Sequence, residues 1–281
     1  QIMELDKVAH IVSAAYGLEG TLRVLEGYDN SNFCLTSIDG NQWVVKILAS
    51  LELARLQTDV LSALKENKLK NFLPHVVELL NGQRVHILDD GQCLFLLTWL
   101  DGAFYKDSVV NVGFSADMGR FMGELDLALA QIRIPAGLNE TTPWDLCNYG
   151  LVKKYTPSIA DPSIRLIVDY FFSQADSQFL LLNALPKSLI HGDANDWNVL
   201  RDQDKVSGII DFGDMCYSWR VNEIAISCVY LAMKTADPQE IICAFLSAYH
   251  QKNAINKAEL DQLYLLIALR LSVSIAMSSY R

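Results

Sequence analysis

Residues 189–214 read LIHGDANDWNVLRDQDKVSGIIDFGD. Two short apolar runs, Leu189-Ile190 and Val206 to Ile210, each deliver a polar turn. The first turn is His191-Gly192-Asp193, with Asn198 five residues beyond the aspartate. The second is Asp211-Phe212-Gly213-Asp214. Apolar runs bounded by Gly, Asn and Asp read as short strands ending in turns, and these two can pair as a hairpin. Such pairing sets three oxygen-bearing side chains, Asp193, Asn198 and Asp211, at neighbouring strand ends. Asp, Asn and Gly are also ordinary turn residues, so an Asp-rich hairpin carries no chemistry by itself. The combination carries it here: every motif follows an apolar run, and all fall in one order.

Phosphoryl transfer needs such a set. One carboxylate orients and deprotonates an alcohol, while an amide oxygen and a second carboxylate hold a divalent cation against nucleotide phosphates. Asp193 suits the first role. Asn198 and Asp211 suit the second, with Mg2+ as the expected ion. The spacing Asp-x-x-x-x-Asn followed by Asp-Phe-Gly is that of the protein-kinase catalytic and metal loops, with Gly192 where those carry Arg. His191, a lone histidine, reads as support for the loop. Asp214 is either a turn cap after Gly213 or, like Asp29 and Asp196, a carboxylate for a substrate ammonium. Crowded carboxylates are costly unless cations neutralise them. Magnesium would account for part of that cost, and a cationic substrate for more.

Upstream the pattern is that of a sheet. Thr21–Leu25, Asn32–Ile38, Gln42–Leu48, Gln83–Leu88 and Cys93–Trp99 read as five antiparallel strands, with hairpin signals at Asp39-Gly40 and Asp89-Asp90-Gly91. Helical spacing precedes them over residues 4–16 and interrupts them from Leu51 to Lys65. In Trp43-Val44-Val45-Lys46-Ile47 a lysine stands among apolar neighbours, which is costly unless it is paired or faces water at an edge. From about residue 103 the pattern becomes helical. Phe114, Met118, Phe121 and Leu125 form a stripe, Asp161-Pro162 opens one helix, and Asp237-Pro238-Gln239-Glu240 opens another with a capping box. The expectation is an α+β chain: a small N-terminal nucleotide-binding lobe over residues 1–100 and a larger, mainly helical catalytic and substrate lobe over 101–281.

The motif stretch resembles the aminoglycoside phosphotransferase and choline kinase superfamily, small-molecule kinases that share the protein-kinase fold. Within it, His191 to Asn198, Val206 to Met215 and Glu223-Ile224-Ala225-Ile226 are most similar to the hydroxylysine kinase group. Weaker echoes at Gly27-Tyr28-Asp29-Asn30 and in the last helix extend the resemblance over most of the chain. It implies a protein-kinase-like two-lobe fold, ATP or GTP as donor, and a small cationic amino alcohol such as 5-hydroxylysine as acceptor. Kinases of homoserine, aminoglycosides, choline or ethanolamine share the core motifs. A nucleotide-binding pseudokinase domain that regulates a fused or partner enzyme is a further alternative. The resemblance implies that the loop carrying Tyr28 and Asn30 covers the phosphates, although it has one glycine where three are usual. Lys46 would contact the α- and β-phosphates, with Glu52 as its helix partner. In the resembling group that glutamate lies two residues before a Gln, and here Arg55 stands two before Gln57. Trp99, in the linker Thr98 to Gly102, would border the base or pack the hinge. Trp144, with Asp145, would face the substrate and hold an ammonium by cation–π contact, or anchor its loop.

Composition excludes several classes. The chain of 281 residues is 51% hydrophobic and 20% charged, so it can bury a sizeable core. A net charge of −10 argues against nucleic acid and against anionic membrane surfaces as partners. Six scattered cysteines without a C-x-x-C pair read as reduced, structural thiols. With no signal-peptide pattern in the first residues, they give a cytoplasmic location as the expectation. Leu263 to Met277, broken by Arg270 and two serines, reads as a buried helix. The helical pattern runs to Arg281 without a cap, so further C-terminal sequence, including a fused domain, is an expectation.

Overall fold

The computed structural model describes residues 5–25, 32–133 and 142–280. The loop of residues 26–31, with Tyr28, Asp29 and Asn30, lies outside the described residues. The chain divides into two compact units, residues 1–101 and 102–281.

The first unit is built on a sheet. Its strands are β1 (Thr21–Val24), β2 (Asn32–Thr36), β3 (Gln42–Leu48), β4 (Val76–Val77), β5 (His86–Ile87) and β6 (Cys93–Thr98). They run in the order β1-β2-β3-β6-β4, with β5 also paired to β6, and every pair is antiparallel. The five expected strands are present, and β4 makes a sixth. Two residues cannot display an alternating pattern; β5 is as short but is marked by the turn signal Asp89-Asp90-Gly91, whereas the sequence reading attaches no such signal to β4. Alternation along β2, β3 and β6 sends Phe33, Leu35, Val45, Ile47, Leu94 and Leu96 to one face. There they pack on Val8, Val12 and Tyr16 of helix α1 (Leu5–Tyr16). Each such side chain, fully buried, contributes about 1.5–3 kcal/mol. Helix α2 (Leu51–Leu64) packs against β3 and β6.

The second unit holds β7 (Ala103–Phe104), α3 (Val112–Leu129), α4 (Pro162–Ser177), α5 (Phe179–Asn183), β8 (Lys187–Ile190), β9 (Val199–Asp202), β10 (Lys205–Ile209), β11 (Cys216–Trp219), α6 (Val221–Ala232), α7 (Pro238–Lys252) and α8 (Lys257–Tyr280). The sequence signals for helix starts appear as caps: Asp161 accepts from Ser163 N–H at 2.8 Å, and Asp237 from Glu240 N–H at 3.5 Å. Helices α3 and α7 approach closely at Gly119, where an added Cβ would meet the Phe245 carbonyl oxygen at 2.3 Å. Beside it Ser115 Oγ donates to the Ile241 carbonyl at 2.7 Å. Among the described residues α8 alone is long and apolar enough to cross a membrane. In this unit it packs on α4 and α6, with Leu266, Leu269, Val273 and Ala276 fully buried.

Candidate active site

Two short antiparallel ladders bring the motif residues together. The expected pairing of the 189–190 run with the 206–210 run does not form: β10 pairs with β9 instead, and Asn198 and Asp211 flank the open end of that hairpin. The backbone N–H of Ile210 donates to the Asn198 carbonyl at 2.9 Å and closes that end. Strand β8 pairs instead with β11, Ile190 opposite Cys216. That second ladder holds the loop after β8, which carries Asp193, against the turn before β11, which carries Asp211 and Asp214. Gly192 makes this approach possible. Its φ is +81°, and a Cβ there would stand 2.5 Å from the Asp214 carbonyl oxygen. An arginine, as at the protein-kinase position, does not fit this backbone.

His191 is fully buried and supports the loop. Its Nε2 lies 3.0 Å from the Ile210 carbonyl, and its Nδ1 accepts from the Asp193 N–H at 3.3 Å. A neutral imidazole protonated at Nε2 satisfies both contacts. Its ring meets Phe212 edge-on at 4.7 Å. Asp193 Oδ2 accepts from the amides of Asn195 at 2.9 Å and Asn198 at 2.7 Å. Asn198 also donates to the Asp193 carbonyl at 2.9 Å. With the NH2 of Asn198 spent on Asp193, its amide oxygen remains for a cation. Asp211 is exposed and sits in the left-handed region at φ 61°, uncommon for a residue other than glycine. Strain of this kind concentrates at functional sites. A carboxylate and an amide oxygen are the ligands a hard divalent ion takes, so the donor set fits magnesium. Among the described residues no three His, Cys, Asp or Glu side chains gather as a metal cage, and magnesium is commonly held by one or two carboxylates.

Burial, then the carboxylates of Asp214 and Asp211, push the Asp193 carboxyl up to about 7 against the opposing pull of Arg270. Arg270, from α8, is one residue the sequence reading missed. Its guanidinium donates to Asp193 Oδ1 at 3.1 Å and to the Trp144 carbonyl at 3.2 Å. The crowding of acids is therefore relieved by a cation of the protein itself, not by magnesium and substrate alone. Glu223, on α6, also stands under the loop. It is fully buried and accepts from the Gly192 N–H at 3.0 Å. Burial pushes its carboxyl up to about 7, against the backbone N–H groups of Gly192, His191 and Ala194.

The remaining expected residues are placed differently. Lys46 is 7% exposed on β3, a strand with neighbours on both sides, so it is no edge lysine facing water. Glu52 lies on the exposed side of the first turn of α2, as does Arg55, while Gln57 and Thr58 are buried. The Trp99 N–H donates to the Gln42 carbonyl at 3.3 Å, and the Arg23 guanidinium lies 5.7 Å above its ring. Trp144 is half-buried, with the Arg270 guanidinium 5.2 Å over its ring. Asp145 accepts from the Cys147 N–H at 2.9 Å and from the Ser218 hydroxyl, which anchors the loop. Asp196 is buried and paired to Lys234 at 2.7 Å. Asp214 is half-buried and close enough to Asp193 to raise its pKa.

Comparison with known proteins gives the geometry its family. The profile of the phosphotransferase enzyme family (APH) matches residues 21–263. The chain is 29% identical over 311 residues to a hydroxylysine kinase of Xenopus laevis, an alignment covering 98% of this chain and 82% of that protein. The structure superposes on amicoumacin kinase hAmiN, solved with AMP-PNP, Ca2+ and Ami. That match has a TM-score of 0.77 at 17% identity and covers 99% of this chain and 86% of the other. A microcompartment-associated aminopropanol kinase matches with a TM-score of 0.74 at 18% identity, over 98% and 90% of the two chains. These likenesses establish an α+β, protein-kinase-like fold. On the extent of the family match, the chain belongs to the phosphotransferase enzyme family and is a small-molecule kinase that phosphorylates an alcohol group.

Proposed function

We propose that the chain transfers the terminal phosphoryl group of ATP or GTP to the hydroxyl of a small amino alcohol of the 5-hydroxylysine kind. The observation that carries this reading is the Asp193 carboxylate gripped by Asn198 at 2.7 Å beside the open end of the β9–β10 hairpin, with Asp211 on its other side. The alcohol oxygen attacks the terminal phosphorus as the bond to the β–γ bridging oxygen breaks, and the nucleoside diphosphate leaves. Asp193 orients the hydroxyl and takes its proton. Asn198 and Asp211 would hold magnesium, which supplies charge neutralisation at the phosphates when bound. Lys46 is proposed to contact the phosphates, with Glu52 as its helix partner and Tyr28, Asn30 and Trp99 as further nucleotide contacts. Asp214 is the carboxylate proposed to receive a substrate ammonium, with Asp29 as a second candidate. The amino-alcohol assignment draws support from the hydroxylysine kinase likeness and from the aminopropanol kinase among structural neighbours.

The test is nucleotide consumption by the purified protein with 5-hydroxylysine, aminopropanol, homoserine, choline and an aminoglycoside. Turnover is expected with the first two and is expected to fall at least 1,000-fold, about 4 kcal/mol of barrier, in Asp193→Ala. Nucleotide binding without turnover of any alcohol would replace this reading with that of a regulatory nucleotide-binding domain. The exposed positions of Glu52 and Arg55 on α2 are what favour that second reading.

A further inference from the structure

Helix α8 carries a charge where its pattern calls for an apolar residue. Arg270 is 2% exposed, between the fully buried Leu269 and the Ser272-Val273 pair, which is also buried. A guanidinium removed from water costs several kcal/mol unless it is fully partnered. Here it is incompletely partnered, because its Nε is buried without an acceptor. Stability alone does not explain such a residue. Its remaining donors reach two chemically important points, Asp193 Oδ1 at 3.1 Å and the carbonyl of Trp144 at 3.2 Å. Aromatic rings of Trp144 and of Tyr230 on α6 lie 5.2 and 6.0 Å from it and fix the plane of the fork.

The lone pairs of Asp193 can be assigned from these contacts. An ionised carboxylate has about four acceptor sites, two on each oxygen. Oδ2 accepts from both Asn195 and Asn198, at 2.9 and 2.7 Å, so both of its sites are taken. Oδ1 accepts from Arg270 and keeps one site. We propose that Arg270 is a positioning residue: it locks the carboxylate of Asp193 from the side opposite the two asparagines, so that the remaining lone pair of Oδ1 receives the proton of the substrate hydroxyl. The same fork ties the Trp144 loop to that oxygen, which makes loop position and base position a single arrangement. Arg270 is too deeply buried to be the substrate contact itself. Three acids face this point, Asp193, Asp211 and Asp214, with Glu223 beneath the loop and Tyr105 near Asp193. The guanidinium of Arg270 is the cation placed among them. This inference rests on the phosphotransfer role of Asp193.

The experiment uses the full chain with Arg270→Met, Arg270→Lys, and Arg270→Met combined with Asp193→Asn. Arg270→Met is expected to lower kcat at least 100-fold with the nucleotide KM within twofold of wild type, and Arg270→Lys to recover at least tenfold of that loss. A residue that merely stabilises the fold would not separate kcat from nucleotide KM in this way. Independently of turnover, Arg270→Met is expected to lower Tm, and adding Asp193→Asn to recover part of the loss, because the orphaned carboxylate is then neutral. Wild-type turnover with Arg270→Met kcat within threefold overturns the proposal, and so does a double variant no more stable than Arg270→Met. Absence of turnover in the wild type overturns the phosphotransfer reading instead, while the Tm comparison still reports on the Arg270–Asp193 contact.

Discussion

Replacing Gly192 with alanine tests the close pass on which the site is built. Two costs apply. A residue with a Cβ at φ +81° loses about 1–2 kcal/mol to the left-handed conformation. Its Cβ would also stand 2.5 Å from the Asp214 carbonyl oxygen, a backbone atom that cannot swing aside. Overpacking of that kind costs about 1–3 kcal/mol more. Reduced freedom of the unfolded chain returns about 0.4–1 kcal/mol. The balance is a destabilisation of roughly 1–5 kcal/mol. Gly91→Ala is the control: φ there is +84°, and an added Cβ meets nothing within 4 Å. It carries the conformational cost alone, about 0–1.6 kcal/mol after the same return. Urea unfolding followed by tryptophan fluorescence, compared at constant m, gives both values. Turnover should also fall in Gly192→Ala and not in Gly91→Ala, because the strain lies one residue from Asp193. If the two variants are equally stable within about 0.5 kcal/mol, a margin typical of substitutions away from special features, and equally active, the approach of the loop to the Asp-Phe-Gly-Asp turn is not a constraint.

Two further outcomes follow from buried groups. The Glu223 carboxyl is raised from its ordinary 4.5 to about 7 by burial, so the folded state favours its neutral form. Its contribution to stability is complete below about pH 4.5 and is lost as pH rises to about 7; Glu223→Gln, which keeps an acceptor for the Gly192 N–H, should therefore gain on wild type between pH 5 and pH 8. The gain is on the order of 1–3 kcal/mol, read by denaturant unfolding at both pH values, and a difference that does not change with pH would refute the assignment. Gly119→Ala in α3 should lower Tm by several degrees, because the clash with the Phe245 carbonyl at 2.3 Å outweighs the roughly 1 kcal/mol of helix propensity that alanine adds; a rise in Tm would show that α3 and α7 can separate at no cost.

Much of this molecule was legible because its chemistry is local. Asp193, Asn195 and Asn198 lie within one turn of chain, and spacing alone decides that their side chains can meet. Five strands of the first unit and the capped starts of α4 and α7 were legible for the same reason: a period of two or a cap at a fixed offset is a property of neighbours in sequence. What spacing could not supply was the partner of each strand. Leu189-Ile190 and Val206 to Ile210 looked like the two arms of one hairpin, yet β10 found β9, and β8 found β11, which lies past the Asp-Phe-Gly-Asp turn. Both pairings satisfy the same local pattern. The choice between them is made by which faces become buried.

The residues that escaped the sequence reading have a common physical signature. Arg270 lies 77 residues from Asp193, and Glu223 lies 31 residues from Gly192, too far for any motif to join them. Each is a charged residue inside a strongly apolar helix, fully or nearly fully buried. In the sequence Arg270 reads only as a charge that breaks an apolar run, and Glu223 only as one residue of a shared segment. Yet a buried charge must find a partner, and the acids crowded in the His-Gly-Asp and Asp-Phe-Gly-Asp turns require a cation. Those two requirements meet in the contact between Arg270 of α8 and Asp193. The same logic accounts for Lys234, which meets the buried charge of Asp196. It also explains Trp144, whose ring is covered by the guanidinium that binds Asp193. A site dense in carboxylates is thus completed by charges that interrupt distant apolar helices, and those interruptions are where its missing members are to be sought.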